Sequence, residues 1–101
     1  MTKRKPIKPP AGLSAESQQL WRRIHTDYAL ADDVAGESLL RSLCETLDRL
    51  QQCQVCIKKD GLTVAGAQGQ TRPHPLLQTE AECRRAILAH YRALKLEPED
   101  Y

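Results

Sequence analysis

The run Leu39-Leu40-Arg41-Ser42-Leu43-Cys44-Glu45-Thr46-Leu47-Asp48-Arg49-Leu50 decides the fold. Leu40, Leu43, Leu47 and Leu50 recur at steps of three and four residues, and Ile57 resumes the series after an interruption at Gln54. A near-heptad series of this kind keeps one apolar seam on one side of a helix over several turns. Leu39 widens the seam. Upstream, Asp32 or Asp33 is placed to cap the helix, and Glu37 lies near its positive end. Downstream, Gly61 is a natural stop, because glycine takes the left-handed conformation that follows many helices. The predicted helix covers about 33–59, roughly 40 Å at ~1.5 Å per residue. One short partner helix cannot cover that length, so either a third helix completes the cover or another subunit does.

Shorter helices are expected on both sides. Ser14 is a good N-cap with Glu16 in the first turn, and Leu20, Trp21, Ile24 and Tyr28 form one apolar stripe of a helix over about 14–30. Arg22 and Arg23 fall off that stripe and face outward. After Gly61 the period changes. Leu62, Thr63 and Val64 have strand character, Gly66 and Gly69 punctuate, and Thr71 to Pro75 read as extended, so a short β-hairpin or ordered loop is expected. Pro75 suits the first turn of a third helix over about 75–95. Within it Leu77, Ala81, Arg84, Leu88, Tyr91 and Leu94 lie at helical spacing, with Ile87 beside them. Early Glu80 and Glu82 and late Arg84, Arg85, Arg92 and Lys95 suit the helix dipole. The expected fold class is mainly all-α: a long helical hairpin, the short β excursion, and a third, C-terminal helix. A flexible, disordered basic arm over 1–12 precedes a single helical domain over 13–101.

Composition narrows the function classes. The 101 residues are 41% hydrophobic and 28% charged, with four aromatic residues and no Phe, which leaves a thin core. A domain of this size buries only ~60–65% of its unfolded surface, so self-association is a natural source of added stability. The net charge of +2 decides nothing about partners, because placement matters more than the sum. No segment approaches the ~18–20 apolar residues of a membrane span, so no membrane partner is expected. Met1 to Pro10 is basic but lacks the hydrophobic stretch of a secretory signal. Four cysteines without such a signal point to a reducing cytoplasm rather than a disulfide framework.

Lys3, Arg4, Lys5 and Lys8 stand among Pro6, Pro9, Pro10 and Gly12 with no acid to offset them. Such a stretch is extended and solvated, serving either as a solubilising tail or as an arm that touches phosphate. Cys53-Gln-Val-Cys56 is the one metal-like motif. Zinc would need a second pair, whereas Cys44, Cys83, His74 and His90 are scattered, and the motif lies inside a predicted helix. These cysteines read as free structural thiols. His25, His74 and His90 are not at ligand spacing, and no phosphate-binding glycine loop or paired-carboxylate motif occurs. No catalytic, cofactor or metal site is expected, and the chain does not read as an enzyme. Arg22-Arg23, Lys58-Lys59, Arg72 and Arg84-Arg85 are each, taken alone, solvated surface; repeated around an assembly of identical subunits they would form a positive track for phosphates.

Several features recur in a telling order: Pro9-Pro10-Ala-Gly-Leu13, Trp21 within the first helix, and the leucine-rich second helix ending at Gly61. Then come Gly66, Gly69, Arg72-Pro73-His74-Pro75-Leu76-Leu77, and Leu94-Lys95-Leu96-Glu97-Pro98. In that order, from about Pro9 to Pro98, the chain resembles the small subunit of the terminase of tailed phages and their prophages. The resemblance implies a non-catalytic role in viral DNA packaging within the bacterial cytoplasm. Such proteins bind double-stranded viral DNA, assemble as homo-oligomeric rings, and recruit or regulate the large subunit that holds the ATPase and nuclease. Lys95 stands where relatives often carry glycine, and Glu99-Asp100 stand in place of basic or serine-rich residues. The DNA-contacting candidates are Lys3, Arg4, Lys5, Lys8, Arg22 and Arg23; Leu40, Leu43, Leu47, Leu50 and Ile57 form the oligomer or core seam. Two rival readings are a helix-turn-helix regulator, which needs a shorter and more polar second element, and a protein-binding adaptor whose seam receives a partner helix.

Overall fold

The structure, a computed structural model, describes residues 8–28, 30 and 33–96. Its elements are α1 (Ala15–Asp27), α2 (Val34–Asp60), β1 (Thr63–Ala65), β2 (Thr71–Pro73) and α3 (Leu76–Ala93). The fold is mainly helical, with a two-stranded antiparallel hairpin between α2 and α3.

Each boundary has a local cause. Ser14 is extended and its hydroxyl accepts the Ser17 N–H at 3.2 Å, which starts α1. The helix stops at Asp27 rather than near 30, and Tyr28 is its C-cap, 49% exposed rather than on the buried stripe. Leu30 belongs to the core. Asp33 caps α2 by accepting the Gly36 N–H at 2.8 Å. Gly36 is required by crowding: a Cβ there would lie 2.6 Å from the Asp33 carboxylate and 3.0 Å from Leu30. Gly61 ends α2 at φ +87°, a conformation that disfavours side chains, and its N–H reaches the Ile57 carbonyl at 2.7 Å. Asp32, the other cap candidate, lies outside the described residues.

The hairpin pairs Thr63 with Pro73, Val64 with Arg72 and Ala65 with Thr71. The His74 N–H extends it by donating to the Leu62 carbonyl at 2.8 Å. Pro75 precedes α3 as its cap residue and has no capping side chain, so helix 3 begins at Leu76 instead of 75. The His74 ring takes over that role, its Nδ1 accepting the Leu76 N–H at 3.0 Å.

Helix α3 ends at Ala93, two residues short of expectation, in a Schellman arrangement. The Leu96 N–H reaches back to the Tyr91 carbonyl at 2.9 Å and the Lys95 N–H to the Arg92 carbonyl at 3.0 Å. Lys95 therefore sits at φ +59°, the one described non-glycine residue with positive φ. Left-handed backbone costs a residue with a Cβ ~1–2 kcal/mol, offset partly by glycine's freer unfolded state. Lys95→Gly is expected to raise stability by about 0.5–1 kcal/mol in chemical denaturation. A fall in stability would show that the lysine side chain is needed there.

The core holds Leu13, Trp21, Ile24, Leu30, Leu40, Leu43 and Cys44, with Leu20, Leu47, Ile87, Tyr91, Leu94 and Leu96 packed against it. Cys53, Ile57 and Cys83 continue the buried strip along α2 and α3. Helix α2 packs more extensively on α3 than on α1. Leu40 and Leu43 retain no exposed surface and Ile57 is buried, while Leu47 and Leu50 are half-buried. Where the leucine series breaks at the exposed Gln54, Cys53 supplies the buried side chain. The inner stripe of α3 is Cys83, Ile87, Tyr91 and Leu94; Leu88, expected on it, is half exposed, and Ala81 and Arg84 face solvent.

Candidate nucleic-acid interface

Of the six cations predicted to touch DNA, Lys3, Arg4 and Lys5 lie outside the described residues. Lys8 is exposed and, with Pro10 and Ala11, borders a groove of about 430 Å³ against Trp21 and the first turns of α2. Arg41 lines the same groove, bringing a second cation beside Lys8, although it also faces Glu45 at 3.9 Å. Arg22 and Arg23 are exposed on α1, and neither lines that groove. Arg23 faces Asp27 at 3.8 Å, an exposed pair of the kind that contributes little.

The start of α1 is anchored by a carboxylate that the leucine pattern hides. Asp48, next to Leu47, receives the Ser14 backbone N–H on Oδ2 at 2.8 Å, the Ser14 hydroxyl on Oδ1 at 2.6 Å, and the Ser17 hydroxyl on Oδ1 at 2.5 Å. The Gln18 amide also donates to the Leu13 carbonyl at 2.9 Å. Together these bonds tie the start of α1 to the middle of α2. Burial by itself would raise the Asp48 carboxyl, but the bonds from Ser14 and Ser17 outweigh it and hold its pKa below the ordinary 3.8.

A depressed carboxyl stabilises the fold above its unfolded pKa, and that contribution disappears as pH falls through the folded value. Asp48 therefore contributes fully above about pH 5, and the contribution fades on acidification below 3.8. Asp48→Ala is expected to lower stability by about 1–3 kcal/mol at neutral pH and to flatten the acid limb of the stability profile. An unchanged acid limb would mean the three bonds do not favour the ionised form.

The three histidines serve packing. His25 is buried with its ring centroid 4.6 Å from that of Trp21, and its Nε2 is 3.9 Å from Glu37. His90 Nε2 shares a hydrogen bond of 2.9 Å with Ser42, joining α3 to α2. His74 is buried, and its Nε2–H donates to Asp60 at 3.0 Å while Nδ1 accepts from Leu76, which fixes the neutral Nε2–H tautomer. Cys44, Cys53 and Cys83 are buried and Cys56 is exposed, all as free thiols. Among the described residues no group of three or more His, Cys, Asp or Glu side chains could hold a metal ion. No described helix is long and apolar enough to cross a membrane.

Three residues matter here that the sequence pattern did not single out: Asp48, Arg41, and Asp60 as the partner of His74. Asp48 and Arg41 each follow a seam leucine directly, so a carboxylate or cation at the seam's edge was their available signal.

Among the described residues, side-chain hydrogen bonds of Asp48, His90 and His74 join one element to another and the lysines and arginines are exposed; the fold defines a small, mainly helical protein. Sequence comparison supplies the family: the model of the phage terminase small subunit matches residues 17–100, and the chain belongs to that family. The match starts within α1 and leaves residues 1–16, including the basic arm, outside it. No curated protein and no solved structure matches the chain.

Proposed function

We propose that this chain binds double-stranded viral DNA as a homo-oligomer and recruits or regulates the large ATPase and nuclease subunit during genome packaging in the bacterial host. Membership of the terminase small subunit family, over residues 17–100, carries this reading. Its own part is non-catalytic. Self-association is supported by aliphatic side chains that the subunit leaves outside: Val34, Val55 and Leu62 are 80%, 63% and 65% exposed. The DNA contact is assigned to Lys3, Arg4, Lys5 and Lys8, with Arg22 and Arg23 on the exposed flank of α1.

Light scattering and salt-dependent mobility shift on the purified protein test the two halves of the proposal. The expected mass is several times 11.4 kDa, and the expected DNA affinity falls steeply with salt. A monomer without salt-dependent DNA affinity would favour the protein-binding adaptor instead. A monomer or dimer bound to one or two half-sites would favour the regulator.

Deleting residues 1–8 isolates the arm. Helix α1 starts at Ala15 and is tied down through Ser14, so helicity and assembly mass are expected to persist. Each phosphate that the deletion leaves unneutralised should change the slope of log affinity against log salt by about 0.9, hence by up to about 3.6 for four cations. Sequence preference should survive, because phosphate contacts position a protein without reading bases. An unchanged slope would move the contact to Arg22 and Arg23 or to the other exposed cations.

A further inference from the structure

The end of the molecule where α2 passes into the hairpin carries Lys58 and Lys59 in the last turn of α2 and Arg72 on β2, all exposed. The Asp60–His74 hydrogen bond at 3.0 Å and the bond from the His74 N–H to the Leu62 carbonyl at 2.8 Å clip the end of α2 to the end of β2. The three cations therefore share one end of the fold. No aspartate or glutamate occurs between Asp60 and Glu80. Both of those flanking acids are engaged, Asp60 with His74 and Glu80 with Arg84 at 3.9 Å. Among the described residues, Lys58, Lys59 and Arg72 have neither an ion pair nor a side-chain hydrogen bond.

The position of Arg72 is built rather than incidental. Arg72 and Gln70 are two apart on one strand line and so share a face of the hairpin. Gly66 lies opposite Gln70, whose carbonyl accepts its N–H at 2.6 Å, and diagonal to Arg72, which pairs with Val64; a Cβ at Gly66 would lie 2.6 Å from Arg72 Cδ and 2.8 Å from Gln70 Cδ. The missing side chain leaves the space over which the arginine stem lies. The φ of Gly66 is not left-handed, so backbone conformation does not demand glycine there; the close approach of these two side chains does. The dipole of α2 accounts for cations in its last turn, but it offers no reason for Arg72.

We infer that this hairpin end, with Arg72 laid across Gly66 and Lys58 and Lys59 in the last turn of the helix that leads into it, is a second contact with the phosphate backbone of duplex DNA. The inference rests on the DNA-binding reading above and adds a surface at the hairpin end, apart from the basic arm and α1. A ribbon of three residues per strand is too short to fill a major groove, so the contact is to backbone oxygens rather than base edges. Arginine's planar fork suits two phosphate oxygens, and the lysines supply point charge beside it.

The test uses the full chain and duplex phage DNA over a salt series. Lys58→Gln, Lys59→Gln and Arg72→Gln combined are expected to lower affinity at least about ten-fold near 0.1 M salt and to reduce the salt slope by about 2.7. Gly66→Ala keeps every charge but displaces the Arg72 stem; it is expected to lower affinity several-fold with unchanged circular dichroism. Wild-type affinity and slope in the triple variant would overturn the inference while leaving the DNA-binding reading intact. Wild-type protein with no salt-dependent affinity would overturn both. Full affinity in the Gly66→Ala variant, together with weakened binding in the triple variant, would overturn the placement of Arg72 alone.

Discussion

Leu43→Ala is expected to lower the stability of the subunit by about 2–5 kcal/mol, a large share of the ~5–15 kcal/mol typical of a whole domain. Leu43 has no exposed surface, lies midway along the packed half of α2, and belongs to the cluster that includes Trp21, Ile24 and Leu40. Truncation removes dispersion attraction within that cluster, and a core built on few large side chains cannot collapse to fill the gap. In a chain of this size the change should bring the melting midpoint down by ~10 °C or more. Leu50→Ala, at a half-buried position of the same seam, should cost well under half as much. Denaturant titrations of both variants, with equal m-values, make the comparison. Equal destabilisation would mean that a neighbouring subunit completes the burial of Leu50.

Leucine periodicity identifies α2 and its inner face, because burying one side of a long helix demands that spacing. The same periodicity is silent on who covers the face. The structure covers Leu40, Leu43 and Ile57 from within the chain and leaves Leu47 and Leu50 partly open. The phase of α3 was harder to read. Leu88 and Ile87 are adjacent apolar residues, and only packing against α2 selects Ile87, with Cys83 and Tyr91 in register with it. Capping was legible where a polar side chain does it, at Ser14 and Asp33. It was illegible at Pro75, where the cap comes from the neighbouring imidazole, and at Lys95, where tertiary packing of Leu94 and Leu96 holds a left-handed turn without glycine.

The binding surface was only partly legible for a related reason. Charge runs show in a sequence, so the arm and the Arg22-Arg23 pair stand out. Charges gathered by folding do not. Lys58-Lys59 and Arg72 read in the sequence as separate surface cations; it is the His74–Asp60 bond that ties the end of α2, which carries the lysines, to the end of β2, which carries Arg72. Lys8 and Arg41 are similarly far apart in the chain and meet at one groove because the Asp48 bonds fix where α1 begins. In this small protein, side-chain hydrogen bonds between elements decide which cations are neighbours, while the apolar seam decides only that the elements pack.

The protein is expected to lose stability on the alkaline side, and Cys44 is the principal cause. Its thiol has no exposed surface and donates to the Ser17 carbonyl at 3.6 Å. Burial pushes its pKa from 9.0 up to about 11, and the nearby carboxylates of Asp48 and Glu45 add to the rise. Below pH 9 the thiol is protonated in both the folded and the unfolded chain, so its contribution is fully present. Between pH 9 and about 11 the unfolded chain releases a proton that the native state retains, and stability falls by ~1.4 kcal/mol per pH unit for that one group. Over this interval the decline amounts to about 2–3 kcal/mol. Cys53 and Tyr91 are raised in the same direction, chiefly by burial, and steepen the decline. Denaturant titrations at pH 8, 9, 10 and 11 should show this fall in the wild type. Cys44→Ala will start from a lower stability, because it opens a small cavity, but its slope against pH should be shallower by nearly one proton. Parallel slopes in the two proteins would show that the Cys44 thiol ionises as readily in the native core as in the unfolded chain, and that the alkaline limb belongs to Tyr91 and Cys53.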